Sequence, residues 1–203
     1  ATAGAGPLGG VATVAGGNGM AGQGGAAELL GGGGSGTGRG GHVVVRSGGS
    51  TSYDSGNVLV GSSDSMRRSG QASIVTGNSV AESGDIVIGV GASGQGIAGS
   101  VNISAGESKS VAEGGSVNVE SGASSGVKTG EVNVRTPAST TGDSGNILLS
   151  TGRSETGHTG RIGLEAGSNS ATGGEIALQG GSGTLGGAFA ISGGLATEKE
   201  GGG

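Results

Sequence analysis

Short segments in which apolar and polar residues alternate return about every 15 residues along the chain. The clearest segment lies within 115–122, where Val117 and Val119 flank Asn118 and a glycine stands at each end. We number each repeat from its first glycine, which we call the anchor glycine and place at position 0. Alternation at a period of two residues predicts one short β-strand per repeat, with positions 2 and 4 on its apolar face.

The repeat can be followed through thirteen copies, whose anchor glycines lie 13 to 16 residues apart. They are Gly10, Gly25, Gly41, Gly56, Gly70, Gly84, Gly99, Gly115, Gly130, Gly145, Gly160, Gly174 and Gly187. Position 4 is Val, Ile or Leu in every copy, and position 7 is glycine except at Ser63 and Pro137. Internal repetition at a fixed period is typical of repeat proteins rather than of ordinary globular folds.

Strands of about five residues at this spacing predict an all-β fold, a β-solenoid of about thirteen repeats joined by Gly-rich turns. One repeat per coil is the favoured arrangement. Two repeats per coil is the alternative, and it would set two aliphatic sheets face to face. Residues 41–194 form the regular array. Residues 1–40 carry degenerate repeats, either as a cap or as a flexible leader, and residues 195–203 form a polar flexible tail.

The composition excludes an ordinary globular core. The chain has 55 glycines, one Phe, one Tyr and no Trp, so the side chains that supply most burial energy are nearly absent. Composition alone suggests disorder. The aliphatic columns argue against it, because an unfolded polar linker has no reason to keep Val, Ile and Leu in phase.

Two polar columns predict stacking between repeats. Position 9 carries serine in eight consecutive repeats, and stacked hydroxyl groups could pass hydrogen bonds from one repeat to the next, unless these serines only stabilise solvated turns. This candidate hydroxyl ladder comprises Ser50, Ser65, Ser79, Ser93, Ser108, Ser124, Ser139 and Ser154, with Asn169 in the next repeat. Position 3 supplies a candidate amide ladder formed by Asn102, Asn118 and Asn133. Glu120 and Arg135, at position 5 of neighbouring repeats, are placed to pair.

Four segments are apolar at position 3 as well as at positions 2 and 4. A strand that is apolar on both faces is normally covered on both faces. The extra apolar residues therefore predict a lateral interface, covered either by the Gly-rich leader or by a neighbouring chain. Its candidate residues are Val44, Leu59, Val87 and Leu148.

No residue set in the sequence resembles an active site. His42 and His158 have no ligand cluster around them, and the chain has no cysteine, so we predict no catalytic residues, no metal site and no cofactor. The net charge is −5 and the few basic residues are scattered, which argues against a nucleic-acid partner. No apolar run approaches the roughly 20 residues of a membrane span, so no membrane partner is expected.

The recurring pattern Gly-Gly/Ser-x-Val-x-Val/Leu-x-Ser/Thr-Gly-x-Ser resembles the Gly/Ser-rich repeat arrays of fibrous extracellular proteins. Such arrays occur in phage-fibre and adhesin-like proteins and in matrix proteins associated with biosilica. The resemblance covers about residues 10–194 and implies no catalytic residues. It favours an extracellular, non-enzymatic scaffold subunit that forms a homo-oligomer or filament. The alternative is a protein that binds mineral, ice or glycan surfaces through hydroxyl-rich faces, and an enzyme is the third class.

Overall fold

The computed structural model describes residues 9–194 of the 203-residue chain, and the backbone in that range forms neither an α-helix nor a β-strand. The prediction of an all-β fold, a β-solenoid with one short strand in each of about thirteen repeats, is therefore wrong for these residues. The predicted tail at 195–203 lies outside the described residues, as do residues 1–8 of the predicted N-terminal segment. Residues 9–194 contain no helix that is long and apolar enough to cross a membrane.

Each repeat of the sequence, except the last, corresponds to one loop in the structure. A bend or turn begins nine to eleven residues after each anchor glycine except Gly187, the last one, at the same period as the sequence pattern. These bends and turns lie at 20–22, 36–37, 51–53, 66–67, 80–81, 94–96, 109–112, 125–127, 140–142, 155–157, 170–171 and 183–185. We call positions 1 to 6 of a repeat its arm, which contains no bend, and the residues from position 7 to the next anchor glycine its loop.

A single backbone hydrogen bond closes seven of the loops at their ends, a place that we call the neck. The amide of the anchor glycine donates to the carbonyl oxygen of position 7 in the preceding repeat, as in Gly115 to Gly106 at 3.0 Å and Gly130 to Gly122 at 2.9 Å. Loops of this length whose ends lie close together have the geometry of Ω-loops. The glycine at position 7 does not need a left-handed backbone there, because the positive φ found among the described residues belongs to Gly36, inside a loop, at 59°.

Closed and open necks differ in the residue at position 6, with one exception at Ser62. Its side chain lies directly against the next anchor glycine: a Cβ added to Gly115 would stand 3.2 Å from the Cβ of Ala105. All seven closed necks have Gly, Ala or Ser at position 6. Each of the four β-branched residues at this position, Thr76, Val90, Thr136 and Thr151, precedes a neck without the hydrogen bond, and each presents a γ-carbon to the anchor glycine. Ser62, which is followed by Ser63 instead of glycine, also precedes an open neck.

Beyond the neck, the arms of neighbouring repeats diverge instead of pairing. The backbone–backbone hydrogen bonds of residues 9–194 lie at the necks or, for Gly38 to Ser35, inside a loop. An open cleft of about 330 Å³ separates the arm at 60–62 from the arm at 71–74. No backbone hydrogen bond joins these two arms, whereas paired strands are hydrogen-bonded along backbones about 4.8 Å apart. The arms of residues 9–194 therefore form no ladder and no solenoid coil.

The described residues contain no core. None of them is buried, and six are half-buried, all at position 6 or position 9 of a repeat: Gly16, Ser108, Ser121, Thr136, Ser154 and Ala166. The chain exposes 20649 Å², whereas a folded monomer of this mass exposes about 8,200 Å² and its unfolded chain about 27,000 Å². The exposed area is therefore closer to that of the unfolded chain, because Gly-rich arms with small aliphatic side chains bury too little surface to offset backbone entropy.

The chain divides into two units, Ala1–Val101 and Asn102–Gly203. Within each unit the same sequence of arm, neck and loop recurs. The boundaries predicted from the sequence, at residues 40 and 194, stay predictions. The regular structure of residues 9–194 is limited to local loop closures, and the arms between the loops carry the apolar columns.

Candidate functional site

The aliphatic columns at positions 2 and 4 are open to solvent. Position 2 is about half exposed throughout, as in Val43 at 48% and Val117 at 55%, and position 4 is more exposed, as in Ile103 at 77%. Isolated exposed apolar residues are common on protein surfaces, but contiguous apolar patches mark interaction sites. Positions 2 and 4 differ from scattered single residues because an exposed aliphatic side chain recurs in every arm.

The four residues of the predicted lateral interface are also exposed. Leu59 is 95% exposed, whereas its neighbours Val58 and Val60 are 54% and 81% exposed. The middle residue is likewise the most exposed one in the arms of Val44, Val87 and Leu148. Position 3 is clearly more exposed than positions 2 and 4 in three of these arms, whereas Val44 and Val45 differ little, at 65% and 63%. Whether another molecule covers this face stays a prediction.

The serines at position 9 make local contacts. The Oγ of each one accepts a hydrogen bond from a backbone amide two or three residues later in the same loop, for example Tyr53 to Ser50 at 2.9 Å and Gly157 to Ser154 at 3.0 Å. Asn169 accepts in the same way through Oδ1, from Ala171 at 2.8 Å and from Thr172 at 2.7 Å. The same contact, in which a backbone amide donates to the serine Oγ, is made by Ser65, Ser79, Ser93, Ser108, Ser124 and Ser139.

These contacts are side-chain-mediated turns of the kind that Ser and Asn form with their own backbone. The bend of each loop begins within two residues of position 9, and in nine loops the side chain at that position makes a hydrogen bond across the bend. The hydrogen bonds of this column in residues 9–194 stay within single loops. A hydroxyl ladder between repeats therefore stays a prediction, whereas the turn role is visible in nine consecutive loops.

The three asparagines of the candidate amide ladder make no such contacts among the described residues. Asn102, Asn118 and Asn133 lie in the arms, are exposed, and make no side-chain hydrogen bond within residues 9–194. Glu120 and Arg135 are also exposed and form no ion pair there; the pair present in this part of the chain joins Lys128 to Glu131. The amide ladder and the Glu120–Arg135 pair both stay predictions.

The loop tips carry a set of apolar residues that the sequence analysis did not identify. Eight of the loops place one large apolar side chain at or next to the bend, almost fully in solvent: Met20, Tyr53, Met66, Val80, Ile97, Val111, Val127 and Leu185. Their position varies from 10 to 13 residues after the anchor glycine. A search for fixed columns misses them for this reason, and a search for one apolar residue per polar loop would have found them.

No group of three or more His, Asp or Glu side chains within residues 9–194 is placed to hold a metal ion. The clefts are shallow: the smaller one, about 230 Å³, is lined by Val14, Ala27, Glu28 and Leu29, and the larger one mainly by Gly, Ser and aliphatic residues. Neither cleft brings a nucleophile next to a base, which acyl transfer and related chemistry require.

No protein-family model matches the chain, and comparison with curated proteins and with solved structures finds no match. The resemblance to fibrous repeat arrays therefore depends on the repeat pattern in this sequence alone. The features available for binding are the exposed aliphatic columns and the exposed amide and charged side chains of the arms. The loops hold the ends of neighbouring arms together.

Proposed function

We propose that this protein is a non-enzymatic structural protein whose copies assemble into an extracellular filament or matrix. The observation that carries the proposal is the exposure of every aliphatic column in the described residues. The surface in excess of a folded monomer, roughly 12,000 Å², is several times the about 1,600 Å² that a standard protein–protein interface buries. A chain of this kind gains its apolar burial by associating, as segments that fold on binding do.

The arms favour a protein partner over a mineral or ice surface. A surface of stacked hydroxyl groups would need the position-9 serines to form a regular lattice from loop to loop, but the hydrogen bonds that they make in residues 9–194 stay within single loops. The aliphatic columns, by contrast, make no contact that competes with association. The extracellular location follows from the resemblance to matrix and fibre proteins.

Sedimentation velocity over a wide range of protein concentration tests this function. We expect species that grow with concentration, because apolar burial between copies is governed by mass action. The double substitution Leu59→Lys with Val87→Lys removes two apolar residues of the outward face and adds two charges, so it should reduce association. Thr51→Lys with Ser125→Lys adds the same charge to two loops and serves as the matched control. A wild-type chain that stays monomeric at high concentration would contradict the proposal.

A further inference from the structure

We propose that copies of this chain pair through their arms in a parallel arrangement offset by one repeat, so that the arm of one copy lies beside the next arm of its neighbour. This inference rests on the proposed function, and it names the partner as a second copy of this chain and fixes the register. It concerns the arms that follow Gly115, Gly130, Gly145, Gly160 and Gly174, all within the unit Asn102–Gly203.

Unpaired backbone groups in the arms call for another backbone. No residue at positions 1 to 5 of these arms takes part in a backbone–backbone hydrogen bond among the described residues. Amide and carbonyl groups that lose water without a partner cost free energy, so an apolar molecule that merely covers the columns would leave them unsatisfied. A second arm satisfies them and brings aliphatic side chains of the same period against the columns.

Charge decides the register. If two copies pair without an offset, six charged residues in these arms each face an identical residue: Glu120, Glu131, Arg135, Arg161, Glu165 and Glu175. Like charges directly opposite each other on paired strands are unfavourable. An offset of one repeat removes all six of these contacts. It creates two pairs of opposite charge instead, Glu120 with Arg135 and Arg161 with Glu175.

The rest of the arm is compatible with the same offset. Positions 2 and 4 place Val, Ile or Leu beside Val, Ile or Leu in every pairing, and Asn118 comes beside Asn133. The anchors Gly115, Gly130, Gly145 and Gly160 are each 15 residues apart, so these arms keep the same residue-by-residue register along the offset. Glu131, which gains no cation from the offset, already pairs with Lys128 in its own chain.

An offset contact joins two different surfaces of the two copies. Such a heterologous contact exposes the same arms of each new copy to the next one, so growth is open-ended unless the rotation between copies closes a ring. This geometry explains how one chain type could build a filament without a separate cap. It also places Glu120 of one copy beside Arg135 of its neighbour, which no contact within the chain provides.

Cysteine cross-linking tests the register, and the absence of native cysteine makes the result specific. Asn118→Cys and Asn133→Cys are prepared separately, mixed at a concentration where the wild type sediments as assemblies, and oxidised. We expect the mixture to form a 118–133 disulfide at least about tenfold faster than Asn118→Cys forms 118–118 alone. Asn118→Cys mixed with Leu148→Cys is the control at the same position two repeats away, and it should cross-link slowly.

Each outcome of the cross-linking experiment is decisive. Rapid 118–118 cross-linking would overturn the offset in favour of identical arms side by side, and rapid 118–148 cross-linking would overturn it in favour of a two-repeat offset. Slow cross-linking in all three samples, with assemblies still present by sedimentation, would place association on another surface. The absence of assemblies in the wild type would instead overturn the proposed function.

Charge reversal supplies an independent readout. Glu120→Lys should raise the concentration needed for assembly by about tenfold, because Lys then faces Arg135 of the neighbour. The double variant Glu120→Lys with Arg135→Glu restores an opposite pair and should return within about twofold of the wild type. If Glu120→Lys leaves assembly unchanged, as it would where each copy faces its own identical residue, the offset is wrong.

Discussion

The amide nitrogen of Gly115 lies 3.0 Å from the carbonyl oxygen of Gly106, and this hydrogen bond closes the loop between two arms. The methyl group of Ala105 lies beside Gly115, in a space that a larger side chain would fill. The same relationship recurs at the other closed necks, with Gly, Ala or Ser at position 6. The small residues of the repeat are therefore explained by the loop closures.

Ala105→Thr should open this neck. Threonine at position 105 would place a γ-carbon on the side of Gly115, as Thr136 does beside Gly145, where the hydrogen bond is missing. We expect the amide of Gly115 to exchange its hydrogen about threefold to tenfold faster, which is the worth of one net hydrogen bond. Amide exchange followed by NMR measures this change. Ala105→Ser, which matches the closed neck at Ser121, is the control and should leave the exchange rate unchanged.

The two glycines that flank one loop should respond differently to alanine. A Cβ at Gly130 would approach the amide nitrogen of Gly122 and the Cβ of Ser121 to 3.3 Å, whereas a Cβ at Gly122 meets nothing within 4 Å. Gly130→Ala should therefore weaken the neck, and Gly122→Ala should leave it closed. Chemical shifts and amide exchange around residue 130 distinguish them. Equal effects of the two substitutions would mean that the neck contact is not the reason for the anchor glycine.

Ser124→Ala should loosen one turn and leave the other loops unchanged. It removes the oxygen that accepts from Gly126 and Val127, at 3.2 and 3.4 Å. The contribution of such an exposed hydrogen bond is at most about 1 kcal/mol. Ser124→Asn should preserve the turn, because Asn169 makes the equivalent contacts naturally. NMR shifts of residues 124–127 report the local change. Effects that spread to the loops of Ser108 and Ser139 would instead support the hydroxyl ladder.

The sequence identified the repeating positions correctly but assigned several of them to the wrong element. Val117 and Val119 repeat in phase with other aliphatic residues, and a period of two predicted a strand, yet the arm forms none. Periodicity shows that residues are equivalent; it does not show that equivalent residues stack within one chain. The serines at position 9 accept from amides two or three residues on, which is the local turn chemistry that the sequence left as the alternative to stacking, and the hydroxyl ladder stays a prediction.

Burial explains why the rest could not be predicted. A solenoid requires each aliphatic column to find apolar partners, and here Ile103 and its equivalents are few per repeat and stand among Gly, Ser and other polar residues. Whether the free energy of burying these side chains exceeds the entropy cost of ordering the arms depends on magnitudes that a pattern of residue types does not give. The loop-tip apolar residues were missed because their position shifts from loop to loop.

Ile103→Asp should impair assembly without altering the isolated chain. Ile103 is 77% exposed, so a charge there costs the single chain little, whereas between two copies it would sit among aliphatic side chains. We expect the concentration needed for assembly to rise by at least about tenfold. Asn102→Asp adds the same charge one residue earlier and should have a much smaller effect. Sedimentation and circular dichroism of both variants measure association and backbone structure separately.

The central claim is that the arms are unpaired in a single chain and become paired when copies associate. Far-ultraviolet circular dichroism, recorded together with sedimentation across a dilution series, tests this claim most directly. We expect an irregular-backbone spectrum where the protein is monomeric and a β-strand signal that grows in proportion to the associated fraction. A β-strand spectrum of full strength in the monomer, unchanged by dilution, would contradict the claim, and so would association that leaves the irregular spectrum unchanged.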